Sequence, residues 1–486
     1  MALINIQDLT FGYDGSEKIL FDNITLGIDT TWRLGLAGRN GRGKTTFLQL
    51  LQGKLPYSGT ITGVPQTVSF PSDELPDCED WKIRKELNLM DADPDIMYRP
   101  VGTLSGGERT KLMLAGLFAT EGLYPLIDEP TNHLDRTGRE KVAEYLSSKN
   151  GFILISHDRN FMDMCTDHTL VITKTGFELV SSTFSTWWDN NEQRMQSEKA
   201  RNDQLRKEMS SIESAMKKNA QWSSKAEGHK NRSKAPGKVA EDHFRRAYEA
   251  EKARKLMSLS KNLEKRNEKK LEEKKGLLQD MERSEKLKIK GSEHHNRTPV
   301  ILKDVSLYRY GEPVTEGVAL TVERGSRISL LGRNGCGKST LLKYLAGIGD
   351  AEGITAEGDI YIAPGLKISY VGQDTSSLKG TIYEIADDRA ADKTQLSTIL
   401  VKMGFTKEML TRDVDALSLG QKKFIMIALS LCEQADLYLW DEPLNYIDVY
   451  MRKEIERLVS ESDITLLFVE HDRTFSQTVA DKEVCL

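Results

Sequence analysis

The chain has 486 residues, of which 38% are apolar and 29% charged, with a formal net charge of −5. That balance excludes a disordered or fibrous chain, and the length admits two or more domains that each bury a core. The longest apolar runs, such as Ile464–Val469, are strand-length and far short of the roughly 20 residues a membrane-spanning helix needs. The opening Met-Ala-Leu-Ile-Asn-Ile has no basic stretch before an apolar one, so export is not expected. Five scattered cysteines, Cys78, Cys165, Cys336, Cys432 and Cys485, fit reduced thiols and a cytoplasmic location.

In chain order, Tyr13 is the first candidate, an aromatic that either packs against its neighbours or stacks on a base. A strand over Trp32–Ala37 runs into Gly38-Arg39-Asn40-Gly41-Arg42-Gly43-Lys44-Thr45-Thr46, and a helix continues to Leu51. Such a glycine loop between strand and helix lets backbone N–H groups surround phosphate, with Lys44 reaching the outer phosphates and Thr45 a Mg²⁺ ion. Leu104-Ser105-Gly106-Gly107-Glu108 follows. An apolar strand over Leu123–Ile127 then ends on Asp128, a second Mg²⁺ candidate, and Glu129, which polarises attacking water. Phe152–Ile155 is another strand, ending at His157, a γ-phosphate contact.

Residues from about 186 to 290 change character. Between Glu192 and Lys290 there are 28 Lys and Arg against 17 Asp and Glu, so one basic segment lies between acidic halves. Leu205, Met209, Ile212 and Met216 repeat at a 4-3-4 spacing, one seam of a coiled coil. Gly228, Pro236 and Gly237 interrupt the pattern, predicting a helical hairpin whose basic tip loop spans about 222–238. Each arm of roughly 35 residues reaches about 50 Å. Trp222 or His229 in that tip is suited to stacking on a nucleic-acid base.

The first-half motifs then return in order. Gly332-Arg333-Asn334-Gly335-Cys336-Gly337-Lys338-Ser339-Thr340 repeats the phosphate loop, and Leu417-Ser418-Leu419-Gly420-Gln421 repeats the serine–glycine motif. Asp441-Glu442 and His471 repeat the acidic pair and the histidine. Alternating strands and helices predict an α/β fold with ligands at strand ends. The predicted domains are therefore 1–185, a helical linker 186–296, and 297–486.

The motifs at Leu104–Glu108 and Leu417–Gln421 resemble the signature of ABC ATPases. That resemblance implies that each signature completes the nucleotide site of the other half. Site one would join Lys44, Asp128, Glu129 and His157 to Ser418 and Gly420; site two would join Lys338, Asp441, Glu442 and His471 to Ser105, Gly106 and Gly107, with Glu108 and Gln421 of the same motifs as further nucleotide candidates. Two departures make the sites unequal. Aligning Thr67–Asp73 with Lys367–Gln373 puts Asp73 where Gln373, a metal-shell and nucleotide candidate, stands in the second half. Leu419 replaces the first signature glycine.

Two cassettes on a helical linker resemble the ABC-F ATPases. Leu-Ser-Leu-Gly-Gln (417–421) and Asp-Glu-Pro-Leu-Asn-Tyr-Ile-Asp (441–448) are similar to the Gram-positive ribosomal protection group. The resemblance implies ATP and Mg²⁺ as ligands, ATP-dependent pairing of two domains in a monomer with no membrane domain, and binding at the ribosomal E site. It also implies that the linker passes P-site tRNA toward the rRNA of the peptidyl-transferase centre, displacing drugs there. A housekeeping ABC-F translation factor would share every ATPase residue.

Overall fold

A computed structural model describes residues 3–13, 19–71, 78–120, 122–132, 134–173, 176–232, 295–348, 353–403 and 405–486. One structural unit comprises Met1–Trp187 with Lys286–Leu486, and the other Trp188–Glu285.

In the first cassette the strands are β1 (Leu3–Phe11), β2 (Phe21–Asp29), β3 (Arg33–Gly38), β4 (Ser58–Thr62), β5 (Thr67–Phe70), β6 (Tyr124–Asp128), β7 (Phe152–Ile155), β8 (His168–Ile172) and β9 (Phe177–Val180). Its helices are α1 (Lys44–Leu51), α2 (Asp80–Leu89), α3 (Gly106–Ala119), α4 (Arg136–Ser147) and α5 (Arg159–Cys165). The main sheet runs β5-β6-β7-β3-β8-β9, parallel except for β9. All four residues of β7 are buried. A parallel strand covered by helices on both faces must be apolar throughout, which is why Phe-Ile-Leu-Ile reads as a continuous run. A smaller antiparallel sheet, β2-β1-β4, packs Ile4, Ile6 and Phe21 against Phe47 of α1. Truncating a core aromatic such as Phe47 costs roughly 3–5 kcal/mol.

The second cassette repeats the plan with β10 (Val300–Arg309), β11 (Glu312–Val322), β12 (Arg327–Leu331), β13 (Ile354–Ile362), β14 (Ile368–Val371), β15 (Leu437–Asp441), β16 (Leu466–Val469) and β17 (Lys482–Cys485). The main sheet is β14-β15-β16-β12-β17, all parallel, beside an antiparallel β11-β10-β13. The expected α/β fold is present in both halves.

The consequence for function is topological. Strands β6, β7 and β3 are neighbours, as are β15, β16 and β12. The phosphate loop, the acidic pair and the histidine therefore emerge side by side at the carboxyl edge of each sheet, where α/β folds bind ligands.

A long helix, α6 (Phe184–Arg232), has 49 residues, which corresponds to about 70 Å. This corrects the expectation of a loop opening at Trp222, since helix continues past Gly228. One glycine costs a helix only about 1 kcal/mol, and the neighbouring Gln, Lys, Ala and Glu are good helix formers. The remainder of the expected tip and the return arm lie outside the described residues. Among those described, no helix is long and apolar enough to cross a membrane.

Candidate nucleotide sites

Each phosphate loop is held open by glycines. Gly43 has φ 89° and Gly337 φ 94°, the left-handed region that glycine enters freely. A Cβ on Gly43 would stand 2.8 Å from Leu20 and Phe21, and one on Gly337 about 3.0 Å from Thr315. These loops lead into α1 and its repeat α7 (Lys338–Leu345), whose first N–H groups lack helical partners. Gly41 has φ 77° and Gly335 φ 83°. Lys44 is buried, its Nζ donating to the Gly38 carbonyl at 2.8 Å and to Asn40 Oδ1 at 3.3 Å. Burial holds its pKa down, against the charges of Asp448, Glu129 and Asp128. Lys338 is likewise buried, its Nζ donating to the Gly332 and Arg333 carbonyls at 2.8 Å, with Cys336 Sγ 3.8 Å away. Arg39, Arg333 and Asn334 are exposed, while Arg42 and Thr340 are half-buried.

Beside each lysine lies a hydroxyl–carboxylate pair. Thr45 Oγ1 donates to Asp128 at 2.8 Å, and Ser339 Oγ to Asp441 at 3.0 Å. Gln373 Nε2 joins the second pair, 3.2 Å from Asp441 and 3.4 Å from Ser339. Burial raises the pKa of both aspartates, opposed by those hydroxyls. Hard oxygen donors with one carboxylate apiece fit Mg²⁺, which keeps waters and takes phosphate oxygens as its other ligands. Among the described residues no group of three or more His, Cys, Asp and Glu could hold a metal alone. Asp73, the expected counterpart of Gln373, lies outside the described residues.

Glu129 and Glu442 sit just past their strands with φ 53° and 48°. Non-glycine residues rarely adopt this conformation, and it costs roughly 1–3 kcal/mol. Their backbone N–H groups still donate to Ile155 and Val469 of the adjacent strands at 2.9 Å, so the turn redirects the side chains alone. Glu129 Oε1 lies 3.5 Å from His157 Nε2, and Glu442 Oε1 3.6 Å from His471 Nε2. Glu129 Oε1 and His471 Nε2 are buried with no hydrogen-bond partner. Such atoms suit a site that takes a polar ligand. Burial, with Asp128, pushes Glu129 up to about 8. Burial opposes ionisation of Glu442 too, but His471, Asn445 and the Arg139 charge outweigh it and hold its pKa low. Burial, then the Lys44 and Arg452 charges, keep His157 neutral.

The signature motifs are capping boxes. Ser105 Oγ accepts from Glu108 N at 3.2 Å while Glu108 accepts from Ser105 N at 2.8 Å; Ser418 and Gln421 repeat this at 3.3 and 3.0 Å. Glu108 and Gln421, expected to contact nucleotide, are thus turned back onto their own helix N-termini, α3 and α11 (Leu419–Cys432), the latter following α8 (Ile382–Asp388), α9 (Lys393–Lys402) and α10 (Lys407–Thr411). Ser105, Gly106 and Ser418 remain exposed, whereas Gly107 is half-buried and Gly420 buried. Leu419 projects outward with 55% of its surface exposed. Tyr13 is half-exposed, its hydroxyl 2.7 Å from Thr46 Oγ1.

The second cassette meets the first at its phosphate loop. Asn40 N donates to Asp448 Oδ2 at 2.8 Å, and Asn40 Nδ2 to the Tyr446 carbonyl at 3.2 Å. A Cβ on Gly420 would stand 2.3 Å from that carbonyl and 3.0 Å from Asn40 Nδ2, so only glycine fits. Arg39 lies over the Tyr450 ring at 5.3 Å. Asp448 and Tyr446 were not singled out from sequence, although Asp128–Asp135 and Asp441–Asp448 repeat with an aspartate at each end. Arg452 was missed as well. It pairs with Asp472 at 2.8 Å and donates to the Ile447 and Leu444 carbonyls, fixing the loop that carries Tyr446.

Comparison with known proteins gives the fold and the relatives of the chain. The ABC transporter family matches residues 21–77 and 315–445. The ribosome protection protein VmlR of Bacillus subtilis is 25% identical over 98% of this chain and 85% of its own. The erythromycin resistance ATP-binding protein MsrA of Staphylococcus epidermidis is 26% identical over 98% of both. Among solved structures, the archaeal ribosome recycling factor aABCE1, crystallised with the ribosomal stalk protein aP1, aligns over 98% of this chain and 87% of that one at a TM-score of 0.61 and 19% identity, a likeness of fold. The chain has the ABC ATPase fold in both halves and resembles the ABC-F ATPases, the ribosome protection proteins among them.

Proposed function

We propose that this chain is an ATP-hydrolysing ABC-F protein that binds the ribosome at its E site and protects it from antibiotics of the peptidyl-transferase centre. The observation that carries the reading is likeness over nearly the whole chain, linker included, to a ribosome protection protein and to an erythromycin resistance protein.

In this reading two ATP molecules are held between the cassettes. Backbone N–H groups of Gly41–Thr45 and Gly335–Ser339 cradle phosphates, with Lys44 and Lys338 on the outer ones. Facing helix N-termini, capped by Ser105 and Ser418, present Gly106, Gly107 and Gly420 to the same phosphates. The seat of Gly420 against Asn40 supports this pairing for the first site. Thr45 and Asp128, and Ser339, Asp441 and Gln373, would hold Mg²⁺, which supplies charge neutralisation for the leaving phosphate. Glu129 and Glu442 orient and polarise water, and His157 and His471 would contact the γ-phosphate.

Closure of the cassettes on ATP would then position the basic linker, and hydrolysis would release it. Seven basic residues against one acid between Lys217 and Val239 suit phosphate-rich rRNA and P-site tRNA. The protein would act as a cytoplasmic, ribosome-associated monomer.

Expression in a susceptible bacterium tests this, scored against lincosamide, streptogramin A and pleuromutilin drugs. Raised inhibitory concentrations that vanish with Glu129→Gln and Glu442→Gln support protection. Unchanged susceptibility with intact ribosome binding would instead favour a housekeeping ABC-F translation factor.

A further inference from the structure

Lys423 is the cation buried most deeply among the described residues, with 1% of its surface exposed. It lies on α11, the helix whose N-terminus carries Ser418 and Gly420. Its Nζ donates to the Gly372 carbonyl at 2.6 Å and to the Gln373 carbonyl at 3.3 Å. Gln373 in turn donates to Asp441 and Ser339. A buried ammonium is strongly unfavourable unless partnered, and besides these two carbonyls Lys423 feels the charges of Asp441, Glu470, Glu442 and Asp374.

The same helix touches the other site. At its first turn Gly420 abuts Asn40 of the first phosphate loop, while Lys423, one turn on, grips the loop of the second site. The matching helix of the first cassette differs at this position. Five residues after its signature serine stands Thr110, whose hydroxyl bonds back to the Gly106 carbonyl at 3.0 Å.

We propose that Lys423 is a positioning residue for the second site, fixing Gln373 at the metal corner and linking that corner to the helix that faces the first site. The inference rests on the nucleotide-site reading above. Through Lys423, any movement of α11 on nucleotide at Lys44 shifts the Gln373 amide relative to Asp441.

The test uses the full chain with Glu129→Gln and Glu442→Gln, so that nucleotide persists, and follows fluorescent N-methylanthraniloyl-ATP binding during a Mg²⁺ titration. Lys423→Met should raise the Mg²⁺ midpoint of one of the two sites by about tenfold, the usual scale for losing an outer-shell partner. Lys338→Ala should abolish the shifted phase, identifying it as the second site. Lys423→Arg should restore most of the midpoint, and Gln373→Ala should give the same shift with no further change in the double variant. An unchanged midpoint in Lys423→Met, or a shift additive with Gln373→Ala, would overturn the proposal. If Lys423→Met does not fold, Lys423→Gln is read by the same criteria. Absence of any Mg²⁺-dependent binding in the parent would refute the nucleotide-site reading instead.

Discussion

The backbone N–H of Asn40 in the first phosphate loop donates to the carboxylate of Asp448, 2.8 Å away in the second cassette. The other oxygen of Asp448 caps the helix α12 (Val449–Ser460), accepting from Met451 N at 2.9 Å. One buried carboxylate therefore serves its own cassette and its neighbour's phosphate loop at once.

Asp448→Ala should lower stability by about 1 kcal/mol through the lost cap. It should also slow ATP turnover by roughly tenfold or more, the rate equivalent of about 1.4 kcal/mol. Asp448→Asn keeps a cap acceptor, so it should lose turnover with little loss of stability. Urea denaturation and steady-state hydrolysis separate the two effects, and wild-type turnover in both variants would show that the contact is not used.

Glu129→Gln with Glu442→Gln should bind ATP normally and hydrolyse it about 100-fold more slowly or worse, the scale of a lost general base. Phosphate release beside a nucleotide-binding measurement checks this. Hydrolysis at the parent rate would remove both glutamates from the reaction.

Removing the Arg452 guanidinium leaves Asp472 buried without its partner and frees the loop at Leu444 and Ile447. Arg452→Met should cost roughly 3–5 kcal/mol, the scale of breaking a buried ion pair. The urea midpoint reports it directly, and a shift within error would mean that the pair is dispensable.

Much of each site was legible because its parts are local. Gly38–Thr45 and Gly332–Ser339 are strand–loop–helix turns, and Asp128 and Asp441 end apolar strands, so sequence order alone assigns their place. Parts set by tertiary contact were not. Lys423 looks like one more surface lysine beside Lys422, and only the apolar Phe424–Leu429 that follows hints at burial. Glu470 stands where the first cassette has Ser156, and nothing in the chain reveals that its carboxylate collects the N–H groups of Leu444, His471 and Asp472. Glu108 and Gln421 stand out in sequence as signature-motif residues, and the same S-x-x-E/Q pattern also serves as a helix cap. The helix persisting through Gly228 reflects the weakness of one glycine against strong helix formers on both sides.

Replacing Lys217, Lys218, Lys225, Lys230, Arg232, Lys234 and Lys238 with glutamine should weaken ribosome binding and flatten its dependence on salt. Each phosphate contact on duplex adds close to one unit to the log–log slope. Sedimentation across a salt series measures that slope; an unchanged slope would place the RNA contacts elsewhere on the chain.

On the proposed function, ATP-driven pairing of the two cassettes creates the ribosome-binding form. Co-sedimentation of the Glu129→Gln and Glu442→Gln protein with bacterial ribosomes, with and without ATP, tests it most directly. The protein should pellet with ribosomes when ATP is present and stay in the supernatant without it. Equal pelleting under both conditions, or none under either, would contradict it.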